Sequence, residues 1–320
     1  MRTIAVLQPL KEGDLERLQA VAPGWEVAAC AGAPEQWLPT VKRAEAIIGW
    51  KPEAEEACCA SGGSLRWIQA WGAGVDKLPL GKLEQAGVIV TTASGVHPNP
   101  VSETAFAMML AFSRKLHESV RHQRDRRWVQ TAGLGEIHGK TLGVVGVGII
   151  GSELARLGKA FNMNVVGVRH SGAPADYVDT MYTADRLSEL LQTSDYVVAI
   201  MPLTDETYHM FGAEQFRSMK RTAYFINVSR GATTDTEALI DALRSGEIAG
   251  AGLDVFEQEP LPSEHPLWEM DNVIMTPHNG GVTDVYYERA LDIVLGNLRL
   301  YVGGATEAEL RNRVDLTKQY

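Results

Sequence analysis

Short apolar runs alternate with stretches of helical periodicity along almost the whole chain. Thr3–Leu7, Val27–Cys30, Ala46–Trp50, Leu65–Ala70 and Val88–Thr92 read as strands, with helical patterns such as Leu15–Val21 between them. This is the rhythm of parallel strands joined by crossover helices, and it predicts a small sheet of about five strands. From Pro100 a long apolar segment, Val101 to Arg114, predicts a buried helix leading into a second unit, its methionines read as core. There the runs Leu142–Val147, Asn164–Val168, Tyr196–Met201, Ala223–Val228, Gly250–Val255 and Val273–Thr276 predict a second parallel sheet. The helical pattern Tyr286–Tyr301 follows once that sheet is complete, so it is expected to return to the first unit. The predicted fold class is α/β, two doubly wound parallel-sheet domains, with 100–283 inserted into a discontinuous domain made of 1–99 and 284–320.

Glycines mark the start of the second sheet, in Thr141-Leu-Gly-Val-Val-Gly-Val-Gly-Ile-Ile-Gly151. After a buried strand, Gly146 allows the tight turn, Gly148 lets the backbone approach a pyrophosphate, and Gly151 lets the next helix pack closely. The helix pattern runs Ser152–Phe161, and its N-terminal side, with Ile149 and Ile150, is expected to hold the diphosphate. This predicts a Rossmann-type cofactor domain over 100–283 and leaves a flavodoxin-like substrate domain. At the end of the second strand an acid normally binds the adenosine ribose 2′-hydroxyl. Here the chain reads Val168-Arg169-His170-Ser171. Arg169 can pair with a 2′-phosphate, and His170 and Ser171 add donors, so NADP(H) is the preferred cofactor, with NAD(H) possible.

Composition narrows the partners. Forty acidic against thirty basic residues give a net charge of −10, which argues against nucleic acid. The one basic run, Arg121-His-Gln-Arg-Asp-Arg-Arg127, is interrupted by aspartate and reads as a solvated helix end or subunit contact. The N-terminal apolar stretch is followed at once by Lys11, Glu12 and Asp14, so it lacks the core of a secretion signal and a cytoplasmic protein is expected. The uncharged stretch Thr141–Ser152 falls short of the roughly 18 residues that span a bilayer, and no membrane association is predicted. Cys30, Cys58 and Cys59 show no metal-ligand spacing; they are read as reduced thiols, with no metal site.

Three segments that follow strands of the second sheet each carry a polar residue suited to 2-keto acid reduction: Arg230, Glu259 and His278. Strand C-termini border the ligand crevice in such a sheet. Arg230 can grip the substrate carboxylate or ketone oxygen, His278 can protonate the developing alkoxide, and Glu259 can orient the imidazole and favour its charged form. Trp50, at the end of a strand of the first domain, is a candidate wall of the substrate pocket, and Trp71 a weaker one.

Four motifs in order, Val145–Gly151, Asn227-Val-Ser-Arg-Gly231, Leu253-Asp-Val-Phe-Glu-Gln-Glu-Pro260 and Thr276-Pro-His-Asn-Gly-Gly281, resemble those of the D-2-hydroxyacid dehydrogenase family. The resemblance covers nearly the whole chain and implies that Arg230, Glu259 and His278 are catalytic. It adds Pro202, Leu203, Val228, Ser229, Asp254 and Gly280 as cofactor contacts, Asp254 toward the carboxamide. It also implies a substrate loop at Trp71-Gly-Ala-Gly-Val-Asp76, where the amides of Ala73, Gly74 and Val75 can form a nest for a carboxylate. The function implied is hydride transfer between NADP(H) and a small 2-keto or D-2-hydroxy acid, in the reductive direction on glyoxylate, hydroxypyruvate or a similar acid, by a homodimer. The alternative is a dinucleotide-sensing, corepressor-like protein of the same fold with little turnover. Arg169 departs from the usual acid; Glu259, a carboxylate where formate dehydrogenases carry an amide, argues against that variant. The end of the chain after Val314 leaves no room for the regulatory domain of many phosphoglycerate dehydrogenases.

Overall fold

The computed structural model describes residues 1–59, 63–75 and 77–317. The chain divides into two compact units, Met1–Val96 with Asp284–Tyr320, and His97–Thr283. The change of unit falls at Val96/His97 rather than at 99/100 because the helix Pro98–Ser113 already starts at Pro98, with His97 as its N-cap.

The first unit is built on β1 (Thr3–Val6), β2 (Glu26–Ala29), β3 (Ala46–Ile48), β4 (Trp67–Gln69) and β5 (Ile89–Thr91), all parallel, in the order β2-β1-β3-β4-β5. That is the flavodoxin-like order. Successive side chains on a strand point to opposite faces, and here both faces are covered. Ile4, Val6, Ala46 and Ile48 pack with Leu18 of the helix Asp14–Val21 and with Leu291, Val294 and Leu298 of the helix Tyr286–Val302. Ala5, Ile47, Ile68 and Val90 pack on the other side with Trp37 and Val41 of the helix Pro34–Arg43 and with Leu83.

The second unit holds β6 (Thr141–Val145), β7 (Asn164–Val168), β8 (Thr180–Tyr182), β9 (Tyr196–Ala199), β10 (Tyr224–Asn227), β11 (Gly250–Leu253) and β12 (Val273–Met275). They form one parallel sheet in the order β12-β11-β10-β9-β6-β7-β8, the Rossmann arrangement with one further strand. Leu142, Val144, Val198 and Ile226 face Phe106, Met109 and Leu154, while Val145, Val197, Ala199 and Phe225 face Leu190, Phe216, Leu239 and Ile240. Each such aliphatic side chain contributes roughly 1.5–3 kcal/mol on full burial. The ion pairs are mostly exposed, like Arg186–Glu189, where about 0–1 kcal/mol is usual, so the two apolar layers hold the unit together. β8 has no counterpart among the sequence-predicted strands: it is a three-residue edge strand, Thr-Met-Tyr, none of it buried.

The glycine-rich helix begins at Ile149 rather than Ser152, because Gly148 is its N-cap. β3 stops at Ile48 rather than Trp50, because Gly49 takes a left-handed conformation (φ 83°). No helix among the described residues is long and apolar enough to cross a membrane.

Candidate active site

All seven strands of the second unit run the same way, so their C-termini share one edge of the sheet. Along it stand Arg169 after β7, the glycine loop after β6, Pro202 and Leu203 after β9, and Val228, Ser229 and Arg230 after β10. Asp254 and Glu259 follow β11, and His278 and Gly280 follow β12. Chain order reverses between β6 and β9, the point at which doubly wound sheets open a crevice for ligands.

Local packing explains the glycines. Gly146 sits at φ 106°, and a Cβ there would lie 2.8 Å from the Ile200 carbonyl on the neighbouring strand's exit. A Cβ at Gly151 would fall on the Gly146 carbonyl oxygen, so only glycine lets the helix Ile149–Ala160 approach so closely. Gly148 differs: its backbone is extended, nothing lies within 4 Å of its Cβ position, and no side chain caps the helix it begins. Free space beside uncapped helical amides fits an anionic diphosphate. Arg169 donates its backbone N–H to Tyr182 (3.2 Å) and accepts from Gly172 (3.0 Å), which fixes the turn. Its guanidinium makes no hydrogen bond or ion pair with any described residue. His170 and Ser171 are exposed beside it, and the Ser171 hydroxyl accepts from the Ala173 N–H at 3.3 Å.

Buried hydrogen bonds shape the Arg230 turn. Asn227 donates through Nδ2 to Thr234 Oγ1 (3.0 Å) and the Arg230 carbonyl (3.2 Å), and its Oδ1 accepts from the Ser229 N–H (3.0 Å) and hydroxyl (2.7 Å). The Ser229 hydroxyl is thus turned into the protein, and Val228 is buried. Arg230 itself is half-buried, and its Nη1 donates to the Ser229 carbonyl at 2.8 Å. Gly231 presses on the next loop so closely that a Cβ there would fall on the Phe256 carbonyl.

Asp254 organises the loop after β12. Buried to 3% exposure, its carboxylate accepts from Thr276 Oγ1 (2.6 Å), Asn279 N (3.0 Å) and Gly280 N (2.9 Å). A Cβ on Gly280 would sit 2.7 Å from Asp254 Oδ2, so a side chain there would displace the carboxylate. Thr104 Oγ1, on the helix Pro98–Ser113, donates to the Gly280 carbonyl at 3.3 Å. His278, at φ 50°, donates its backbone N–H to the Asp254 carbonyl at 2.8 Å. Its ring Nδ1 meets Glu259 Oε2 at 2.7 Å, and Glu259 Oε1 accepts from the Phe256 N–H at 3.0 Å. The pair is open to solvent, the side chains 47% and 35% exposed, and Nε2 is the ring nitrogen left over for chemistry. A carboxylate on Nδ1 selects the tautomer with its proton there.

His97, which carries no motif, also belongs to this neighbourhood. Its ring lies 2.8 Å from the Cβ position of Gly281, and burial together with the Arg230 charge holds its pKa below the ordinary imidazole range. Sequence spacing gives no sign of it, since it precedes Arg230 by most of a domain.

In the first unit, the amides of Ala73, Gly74 and Val75 donate to no described residue, while the Val75 side chain is core; Asp76 lies outside the described residues. Tyr286 Oη donates to the Trp71 carbonyl at 3.1 Å. Trp71 is buried in the core of the first unit, with the Tyr287 ring 5.2 Å away. Trp50 is half-buried against the same layer as Trp37 and Ile47, and its indole N–H is buried without a partner among the described residues.

A family model described as D-isomer specific 2-hydroxyacid dehydrogenase, NAD binding domain, matches residues 106–280, more than half of the chain. The chain belongs to this family. It is 36% identical over 265 residues to a glyoxylate reductase of Korarchaeum cryptofilum, covering 78% of this chain and 76% of that one. With a glyoxylate/hydroxypyruvate reductase B of Escherichia fergusonii it shares 39% identity over 257 residues, 78% of each chain. A crystal structure of a D-isomer specific 2-hydroxyacid dehydrogenase from Xanthobacter autotrophicus Py2, in complex with NADPH and MES, superposes with a TM-score of 0.82 at 30% identity, covering 100% and 99% of the two chains. This 2-hydroxyacid dehydrogenase is therefore an oxidoreductase that uses a nicotinamide dinucleotide.

Proposed function

We propose that this dehydrogenase is an NADPH-dependent reductase of small 2-keto acids such as glyoxylate or hydroxypyruvate, forming the D-2-hydroxy acid. The observation that carries the proposal is the Glu259–His278 pair at 2.7 Å, on the same sheet edge as Arg230 and the glycine loop. Gly146, Gly148, Ile149, Ile150 and Gly151 would hold the diphosphate at the helix N-terminus, Arg169 with His170 and Ser171 the 2′-phosphate, and Pro202, Leu203, Val228, Ser229, Asp254 and Gly280 the remainder. A bound nicotinamide dinucleotide supplies the hydride. Arg230 holds the substrate carboxylate or carbonyl oxygen through charge-assisted hydrogen bonds. His278 gives the proton on Nε2 to the oxygen that becomes the hydroxyl, while Glu259 keeps Nδ1 protonated and the imidazolium stable. In the first unit Ala73, Gly74 and Val75, whose amides donate to no described residue, are proposed as a nest for a carboxylate.

The preference for NADP(H) is supported by the Arg169 guanidinium, which has no partner among the described residues, and by the NADPH bound to the Xanthobacter relative. Oxidation of NADPH and NADH, followed side by side with glyoxylate, hydroxypyruvate and pyruvate, tests both substrate and cofactor. NADPH is expected to be used better, with the preference lost in Arg169→Ala. A clear NADH preference untouched by Arg169→Ala would sink the cofactor assignment. Tight dinucleotide binding without turnover on any acid would favour the sensor reading instead.

A homodimer is proposed on the helix Leu116–Arg124, which buries none of its residues and exposes Leu116 and Val120, and on Trp128, 98% exposed just after it. Light scattering on the purified chain reads this directly, and a monomer at micromolar concentration would rule it out. Cys30, Cys58 and Cys59 are free thiols, two of them buried, which supports a reducing cytoplasmic setting.

A further inference from the structure

The loop that carries Glu259 holds a second histidine–carboxylate pair. The segment Phe256-Glu-Gln-Glu-Pro260 bears two carboxylates two positions apart, and the structure sends them to different partners. Glu259 meets His278, whereas Glu257 Oε1 meets His209 Nε2 at 2.6 Å. The other oxygen of Glu257 accepts from the Thr236 N–H at 3.0 Å, at the start of the helix Thr236–Ser245, where a negative charge is favoured. Burial pushes the Glu257 carboxyl up, but the bonds from Thr236 and His209 outweigh it and hold the pKa below the ordinary range.

His209 is tied to the Arg230 loop as well. Its backbone N–H donates to the Ala232 carbonyl at 2.9 Å, and two residues on the Phe211 N–H donates to the Thr233 carbonyl at 3.0 Å. The Tyr208 ring stacks on the imidazole at 4.0 Å and 11°, which fixes the plane of the ring. His209 sits at φ 48°, a left-handed conformation that costs a side-chain-bearing residue about 1–2 kcal/mol and persists only where the surroundings impose it. One residue therefore joins the backbone that follows Arg230 to the carboxylate that precedes Glu259, alongside the close contact of Gly231 with Phe256.

We infer that His209 is a positioning residue: through Glu257 it keeps the Phe256–Pro260 loop in register with the Arg230 loop, so that Glu259 rather than Glu257 is presented to His278. The inference rests on the roles proposed above for Arg230, Glu259 and His278.

The test compares His209→Leu, which loses the donor, with His209→Gln, which keeps one, and with Glu259→Gln as reference, all in the full chain. In His209→Leu, kcat for keto acid reduction is expected to fall by up to about 10²-fold, as for a misplaced catalytic group, with dinucleotide binding unchanged. The alkaline limb of its pH–rate profile should move lower, because Glu259 no longer meets the His278 ring. Glu259→Gln should move the same limb, and His209→Gln should restore most of both properties. If His209→Leu fails to fold, Glu257→Gln carries the comparison, with a limb shift expected in the same direction. An unshifted limb in His209→Leu or its substitute, while Glu259→Gln shifts, overturns the inference alone. An unshifted limb in Glu259→Gln overturns the role of the Glu259–His278 pair, and the inference with it.

Discussion

His278 occupies a left-handed backbone position that any Cβ makes unfavourable, and its neighbours show what holds it there. Its own N–H, and those of Asn279 and Gly280, all end on Asp254, through the carbonyl or the carboxylate. A buried aspartate with three donors is a rigid mount, and the imidazole is delivered to Glu259 by that mount rather than by a helix. Chemistry at this residue is then a question of one proton. As the proposed proton donor, His278 must be charged for reduction and neutral for oxidation, so reductive turnover should fade at alkaline pH and oxidative turnover at acid pH. His278→Ala is expected to lose on the order of 10²–10⁴ in turnover with dinucleotide affinity little changed. Steady-state kinetics beside direct binding checks this, and turnover within a few-fold of the parent would remove His278 from the role. The placement of the three residues proposed as catalytic is legible from the sequence because each sits in a short motif after a strand. Asp254 appears there only as a cofactor contact, since its role as a mount depends on hydrogen bonds from residues more than twenty positions away.

At the level of elements, glycines divide into two kinds that a motif does not separate. Gly231 has no room for a side chain because the Phe256 carbonyl occupies the Cβ position, whereas Gly148 has open space. Gly231→Ala should therefore force the Arg230 and Phe256 loops apart. It is expected to destabilise by about 1–3 kcal/mol or more, as over-packing does, and to lower the unfolding midpoint by roughly 3–10 °C. Gly148→Ala should melt near the parent temperature yet bind dinucleotide markedly more weakly, since its methyl group enters the space assigned to the diphosphate. Calorimetry with a binding titration on both variants would show the contrast, and a reversed pattern would contradict it. Strands were legible because parallel strands covered on both faces need near-continuous apolar runs. β8 was not, because an exposed edge strand of three residues has no such requirement.

For the whole molecule, charge sets conditions as well as partners. A net charge of −10 disfavours polyanions as partners, and His97 bears on how the fold meets mild acid. His97 has a folded pKa below its unfolded value, first through burial and then through Arg230. The unfolded chain therefore binds the extra proton more readily, and the stability carried by neutral His97 is present above about pH 6.5 and lost as pH falls through the folded pKa. Thermal midpoints measured from pH 7 to pH 5 should drop more steeply for the parent than for His97→Asn; parallel curves would show that His97 does not carry the difference.

The sequence by itself determined the local and the periodic features: the apolar strand runs, the helix that returns at Tyr286, the glycine turn, and the polar residues placed just after strands. These are short-range properties, because strand burial, turn geometry and helix starts are set within a few residues. Only the tertiary structure decided which strands are neighbours, and hence that Arg230, Glu259 and His278 leave adjacent strands β10, β11 and β12. It alone buried Trp71 in the core, gave Asp254 to the His278 loop, and brought His97 to Gly281 and His209 to Glu257. Those outcomes depend on contacts between residues far apart in the chain, which periodicity and spacing do not encode.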